Sequence, residues 1–323
     1  MSQVLNLALP FFGLIALGYI AARLRPLPRD GLAWMNLFIV YVALPALFFQ
    51  LLSRTPVEKL ASWSFVFATT LGTYVVFVLS FTVAFVLGRG RIPDAMVQGL
   101  AGAYGNIGYM GPGLAIAALG PEAVVPVALI FCFDNTMHFT LAPFLMAVGD
   151  DGAEPAGWRT GWEIVVKIAT HPFILATVLG VLAALVGFRT PEIAVRLLDF
   201  LAGAAAPCAL FAMGVTVALA PKIYAPASAF ALVPLKLIAH PLIVWLLLGW
   251  LGDFEPVWVF SAVLLAALPT ATNVFVIAQQ YDTWVDGASS MVVLTTVMSV
   301  LTVTALLYVM TAGVLPADPF PSP

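Results

Sequence analysis

The chain alternates long apolar runs with short polar intervals, and the runs have the length of membrane crossings. A bilayer core takes about 20 helical residues. Ten runs of that order occur: Val4 to Ala22, Trp34 to Leu52, Trp63 to Leu87, Asp94 to Leu119, Glu122 to Val148, Glu163 to Val186, Ile193 to Leu219, Ala225 to Leu251, Val257 to Gln280 and Gly287 to Ala312. The pattern predicts an all-α membrane protein of ten transmembrane helices. Two runs are interrupted at mid-depth. The fourth holds Gly105-Asn-Ile-Gly-Tyr-Met-Gly-Pro112 and the ninth Leu268-Pro-Thr-Ala-Thr-Asn273. Hydrocarbon offers no partner to a backbone amide or carbonyl, so a helix broken there must be buried in protein or line a wet cavity. Both interruptions are therefore expected at a binding site.

The longest polar interval, Gly149 to Gly157, divides the chain into two sets of five runs. An odd number of crossings makes the second set start from the opposite face. Mid-helix prolines recur in equivalent order, in Leu44-Pro-Ala-Leu-Phe-Phe49 of the second run and Ala206-Pro-Cys-Ala-Leu-Phe211 of the seventh. The two broken runs also fall at equivalent places. This ordered pattern predicts a 5+5 inverted repeat, with residues 1–148 as the first repeat, 149–162 as a cytoplasmic linker, 163–312 as the second repeat and 313–323 as a tail.

Composition supports the membrane assignment: 62% of residues are hydrophobic, 9% are charged and the mean hydropathy is +1.05, against about 25% charged in soluble domains. The first run lacks a basic leader and a small-residue cleavage site, and is expected to be retained as a helix. Cys132 and Cys208 lie inside predicted helices and point to neither a disulfide nor a metal. A net charge of −3 spread over short loops gives no sign of nucleic acid. Lys and Arg set the orientation. With the amino terminus outside, the cytoplasmic loops collect Arg23, Arg25, Arg29, Arg89, Arg91, Arg159 and Lys222, leaving Arg54, Lys59, Arg189 and Arg196 outside. Both termini are thus predicted periplasmic, with the protein in the inner membrane. Trp34, Trp63, Trp158, Trp162, Trp250, Trp258 and Trp284 fall near run ends, where interfacial aromatic belts form.

The half-helix after a break presents unpaired amides and a positive dipole end, which suit a carboxylate. Asn106 and Asn273 add amide donors there, and the predicted substrate contacts are completed by Gly108, Tyr109, Pro112, Pro269, Thr270 and Thr272. Each asparagine is alternatively a cap for broken backbone. Asp134, the only acidic residue placed deep in a run, marks an ion or proton pathway. His138 follows it by one helical turn and is in reach of a hydrogen bond to it. Lys236, with His240 four residues on, is either a counter-charge for Asp134 or the substrate or a side chain that snorkels to the interface. Lys167 and His171 open the sixth run, and Lys167 reads as an interfacial anchor. Thr295, Ser299 and Thr302 form a hydroxyl stripe in the last run and read as packing contacts between helices.

The ten-run plan, the two interrupted motifs and the Leu44-Pro45 pair resemble the auxin efflux carrier family of bacterial permeases and plant PIN carriers, over essentially the whole chain. Sodium–bile acid symporters share that architecture. The resemblance implies that helices 1, 2, 6 and 7 form a scaffold, that helices 3, 4, 5, 8, 9 and 10 form a moving transport domain of elevator type, and that Pro112 and Pro269 mark a crossover of helices 4 and 9. The short central loop is typical of bacterial members. The implied function is secondary transport of a small organic anion by alternating access: a malonate-like dicarboxylate, another carboxylic acid or an indole-type acid. Proton or sodium coupling, contact with membrane lipid and a homodimer are compatible with it; no cofactor is implied. The bile acid family places an acidic side chain in helix 9 to hold sodium, and Leu268 to Gln280 contains none. Zinc-protease, nucleophile-elbow and paired-aspartate motifs are absent, which speaks against an enzyme. A sodium-coupled symporter of the bile acid type, its cation held by carbonyls with Asn106, Asp134 and Thr272, and a ligand sensor on a transporter fold are the alternatives.

Overall fold

The computed structural model describes residues 2–25, 29–56, 62–88, 90–149, 162, 165–166, 169–219 and 224–320. All regular structure among them is helical, and the helices fall on the apolar runs. They are α1 Ser2–Leu24, α2 Arg29–Phe38, α3 Leu44–Leu52, α4 Trp63–Leu87, α5 Ile92–Ala103, α6 Gly111–Leu119 and α7 Val124–Gly149. The second part of the chain adds α8 Pro172–Leu185, α9 Glu192–Ala218, α10 Ala229–Pro234, α11 His240–Leu251, α12 Pro256–Ala266, α13 Thr272–Gln280 and α14 Val285–Thr311. Among the described residues, five apolar stretches are long enough to cross a membrane as unbroken rods: Gly31–Leu52, Trp63–Leu87, Glu192–Ala218, Ala229–Leu251 and Val285–Thr311. α1 and α7 are helices of 23 and 26 residues, and the other runs are shorter or interrupted. This is a multi-pass membrane protein, and its outer surface fits that solvent: Ile193, Phe200, Phe230, Leu301 and Val86 are all strongly exposed.

Proline explains much of the local form. A proline ring clashes with the carbonyl four residues back and donates no hydrogen bond, but is tolerated in a first helical turn. Accordingly Pro93, Pro112 and Pro256 sit in the first turns of α5, α6 and α12. Pro45 and Pro241 instead lie inside long rods, and each follows a five-residue π-turn, Ile39–Ala43 or Leu235–Ala239. The wider turn holds the residue with which the ring would collide. Such π-turns often mark functional positions, and the second one carries Lys236.

Packing sorts the helices into two groups. α1, α2, α3, α8 and α9 pack chiefly on one another, as do α4 to α7 with α10 to α14. α1 and α9 meet almost backbone to backbone: a Cβ on Gly18 would fall 2.1 Å from the Phe211 carbonyl oxygen, and one on Gly214 1.9 Å from that of Ile15. One tryptophan corrects the belt expectation. Trp258 is buried edge-to-face on Phe65, ring centroids 4.8 Å apart, whereas Trp284 is half-buried at the start of α14, its indole over Gly287. Trp34, Trp63, Trp162 and Trp250 are exposed as expected, whereas Trp158 and Lys167 lie outside the described residues.

Candidate functional site

The interruption between α5 and α6 meets the one between α12 and α13, and each supplies what the other's backbone lacks. The Asn106 amide donates to the Pro269 carbonyl at 2.8 Å and the Ala271 amide to the Tyr104 carbonyl at 2.9 Å. Gly105 and Thr270 thereby form a single antiparallel bridge. Two carbonyls at the ends of the first half-helices take side-chain donors. The Thr270 hydroxyl donates to Ala101 at 2.7 Å and the Lys236 ammonium to Ala266 at 2.6 Å. Thr295 Oγ1 accepts the Thr270 amide at 3.0 Å. Broken backbone at membrane depth is thus satisfied inside the protein.

In front of this bridge lies a cavity of about 60 Å³, lined by Tyr104, Asn106, Gly108, Tyr109, Thr272 and Asn273 among others. The Asn106 side-chain amide donates to the Met213 sulfur of α9 at 3.0 Å, and Asn106 Oδ1 accepts the Tyr109 amide at 3.3 Å. Tyr109 donates through its hydroxyl to Asn36 Oδ1 of α2 at 3.3 Å. Asn273, on the exposed side of its turn, donates to the Tyr104 hydroxyl at 3.1 Å. The α13 amino terminus opens on the cavity at Thr272, and His171 stands on its rim. Thr272 also lines a larger cavity, about 370 Å³, that runs along the end of α9 and the start of α14 past Thr216, Gln279 and Ser289.

Behind the bridge is a buried polar cluster. Asp134, His138, Lys236 and His240 are each no more than 5% exposed. Thr73 Oγ1 of α4 donates to Asp134 Oδ2 at 3.0 Å and lies 3.2 Å from His240 Nε2. His240 Nδ1 is 3.1 Å from Lys236 Nζ. Asp134 Oδ1 has no hydrogen-bonding partner among the described residues. Gly105 is common to both sides, since it lines the front cavity and also a gap of about 10 Å³ between Asp134 and His240.

Five of the eight predicted substrate contacts, Asn106, Gly108, Tyr109, Thr272 and Asn273, line the front cavity. Pro112, Pro269 and Thr270 are buried away from it, where Pro112 opens α6, Pro269 accepts from Asn106 and Thr270 caps α5. His138 does not bond the Asp134 carboxylate. Its ring stacks on Tyr104, centroids 4.0 Å apart at 13°, and neither ring nitrogen has a hydrogen-bonding partner among the described residues. Lys236 does not snorkel; it is fully buried and held at the bridge. Asp134 is also joined within a helix by a second acidic residue: Asp199, two turns into α9, accepts from Gln50 of α3. Thr73 is the residue that spacing does not single out. His240 and His171 are marked by their spacing from Lys236 and Lys167 but are given no role at the site by it.

A family model described as "Membrane transport protein" matches residues 3–151 and 157–307. A Rhizobium meliloti (strain 1021) protein described as "Putative malonate transporter" is 55% identical over 322 residues, covering 99% of this chain and 100% of its own length. An "Uncharacterized transporter" of Methanothermobacter thermautotrophicus is 28% identical over 293 residues, 89% of this chain and 92% of its own. The "Uncharacterized transporter YfdV" of Escherichia coli (strain K12) is 25% identical over 316 residues, 93% of this chain and 96% of its own.

Proposed function

The chain belongs to the auxin efflux carrier family of membrane transport proteins, and from that premise we propose that it is a secondary carrier of a small organic anion, of the malonate-like dicarboxylate class. The observation that carries this reading is the front cavity. Asn106, Thr272, Asn273 and the amino terminus of α13 line one small space, with no acidic side chain among its described lining residues. Neutral donors and a helix dipole fit a carboxylate. The 55% identical relative described as a malonate transporter supports the class of cargo.

The two packing groups support alternating access. In the ten-run plan, runs 1, 2, 6 and 7, which are α1, α2 with α3, α8 and α9, are the scaffold, the others the elevator-like transport domain, and the joined breaks at Pro112 and Pro269 are the crossover of a 5+5 inverted repeat. Asn106 on Met213 and Tyr109 on Asn36 are contacts across the sliding boundary. In the inner-membrane orientation set by Lys and Arg, with both termini periplasmic, the 370 Å³ cavity opens to the cytoplasm and brings Thr272 within reach of cargo. Asp134 is the coupling residue, answering to a proton or a cation.

Counterflow of radiolabelled malonate in proteoliposomes tests the carrier. Exchange that saturates and is competed by other dicarboxylates is expected. Ligand-induced thermal stabilisation without any exchange would make the protein a sensor. Asp134→Asn, which mimics a protonated carboxyl, should keep exchange and lose the response to an imposed pH or sodium gradient. A mutant that keeps the response returns Asp134 to a structural role.

A further inference from the structure

The cluster behind the bridge is a row of hydrogen-bonding atoms whose protons can be placed in two opposite directions along it, with the Thr69 carbonyl oxygen a further acceptor 3.2 Å from the Thr73 hydroxyl. The row runs Asp134 Oδ2, Thr73 Oγ1, His240 Nε2 and Nδ1, Lys236 Nζ and the Ala266 carbonyl oxygen, with successive contacts of 3.0, 3.2, 3.1 and 2.6 Å. The imidazole ring supplies the one covalent step. Asp134 and Lys236 are therefore connected through two side chains. We propose that Thr73 and His240 relay a proton between Asp134 and Lys236, which sets the charge directly behind the substrate cavity. This rests on the coupling role assigned to Asp134 above.

The protons balance in both arrangements. In the first, Asp134 is a carboxylate and Lys236 an ammonium. Lys236 donates to Ala266 and to His240 Nδ1, His240 donates from Nε2 to Thr73, and Thr73 donates to Asp134. In the second, Asp134 is a carboxylic acid and Lys236 a neutral amine. Asp134 donates to Thr73, Thr73 donates to His240 Nε2, and His240 donates from Nδ1 to Lys236, which still donates to Ala266. Passing from the first to the second breaks one N–H bond at Lys236, forms one and breaks one at His240 and at Thr73, and forms one O–H bond at Asp134, which exchanges the two histidine tautomers. No heavy atom moves and no donor or acceptor in the row is orphaned. A neutral imidazole with each nitrogen on a different partner is the group that such a transfer needs.

The position of the row gives it a consequence. A Cβ on Gly105 would stand 3.3 Å from Lys236 Nζ, so the amine lies against the wall that also bounds the front cavity. An anion arriving in front favours the ammonium behind, and the proton for it comes from Asp134. The gap of about 10 Å³ beside Asp134 is near the lower limit for one water, and Asp134 Oδ1 is free to take part in exchange with it. The titratable groups facing His240 are Lys236 from the same rod and Asp134 and His138 from α7; α4 offers Thr73, and α12 has no titratable side chain.

Infrared difference spectra of the full-length protein in nanodiscs, recorded between about pH 5 and pH 8, test the relay without needing a cargo. Asp134→Asn assigns the carboxylic acid band and His240→Gln the imidazole band. In the wild type the two bands are expected to change with one midpoint. Thr73→Val, which replaces the hydroxyl by a methyl, should separate the midpoints by at least about tenfold in proton concentration, and Thr73→Ser should restore them. Coincident midpoints in Thr73→Val overturn the relay while leaving Asp134 as the coupling residue. A carboxyl band unchanged by Asp134→Asn means that Asp134 does not titrate, and overturns both readings. Should His240→Gln fail to fold, the Thr73 pair alone decides.

Discussion

The two sides of the bridge between Gly105 and Thr270 are built from opposite materials. The front is open and, apart from His171 on its rim, lined by uncharged groups: an amide, a threonine, an asparagine and a helix end around about 60 Å³. The back is closed and charged, with Asp134, His240 and Lys236 buried in one row. One backbone wall separates them. Recognition of an anion needs donors that can be desolvated cheaply and left again, which neutral dipoles provide. Response to a gradient needs groups that change charge, and those must be paired and hydrogen-bonded to persist in hydrocarbon. The comparison predicts that damage behind the wall shows first in stability and damage in front of it first in affinity.

The largest effect should come from Lys236→Met. It fills similar space, yet removes the donor that caps Ala266 and the cation in the field of Asp134. Breaking a buried charge set at one member is expected to destabilise by about 3–5 kcal/mol, read as a lowered midpoint in thermal unfolding. Adding Asp134→Asn should recover much of the loss. No recovery would mean that the two charges do not act as a set. Next comes Gly105→Val, which strikes both sides. Its Cβ would lie 3.1 Å from the Leu265 carbonyl oxygen as well as against Lys236, and overpacking of this kind is expected to destabilise by about 1–3 kcal/mol. Affinity and gradient response should fall together; loss of only one would show that the wall is not shared. Asn106→Ala should weaken binding by about 1–3 kcal/mol, since the bound carboxylate and Met213 both lose the amide, while expression survives. Unchanged affinity would leave Asn106 as a cap for the Tyr109 amide.

Much of the front was legible in the chain because it is local. Glycines and prolines at mid-depth announce a break within one run, and Asn106, Thr272 and Asn273 stand beside the breaks that they serve. The back was legible only in part. Asp134 and Lys236 stood out as charges in apolar runs, and His240 follows Lys236 by four residues in the same rod, but the threonine that joins them comes from α4, and a hydroxyl in a membrane helix is ordinarily a packing contact. Thr73 is 61 residues from Asp134 and 167 from His240. His138 shows the opposite error. Helical spacing placed it one turn from Asp134, yet aromatic stacking on Tyr104 decided the ring's direction. Thr270 was taken for a ligand because it adjoins a break, and the same adjacency makes it the cap of α5. Sequence spacing carries contacts along one helix and loses those made between helices.

The smallest effect expected at the site is that of Asn273→Ala, and it is the finest test of the comparison. Asn273 and Asn106 hold equivalent places after the two breaks, and the pseudo-symmetry of the repeats would make them equal. Their surroundings do not. Asn106 is buried, with its amide against Met213 of the facing group of helices, whereas Asn273 is on the exposed side of its turn and its described bond is to the Tyr104 hydroxyl within its own group. An amide that keeps access to water loses less when its partner goes, so removing it should weaken binding by about 1 kcal/mol or less, about fivefold in affinity, with no change in gradient response. Paired titrations of malonate against both alanine variants measure the difference directly. If Asn273→Ala proves as damaging as Asn106→Ala, symmetry and not burial governs the front of the site, and cargo sits centrally between the two breaks. If it proves harmless, the cargo lies toward α9, and Asn273 serves to hold Tyr104 against His138.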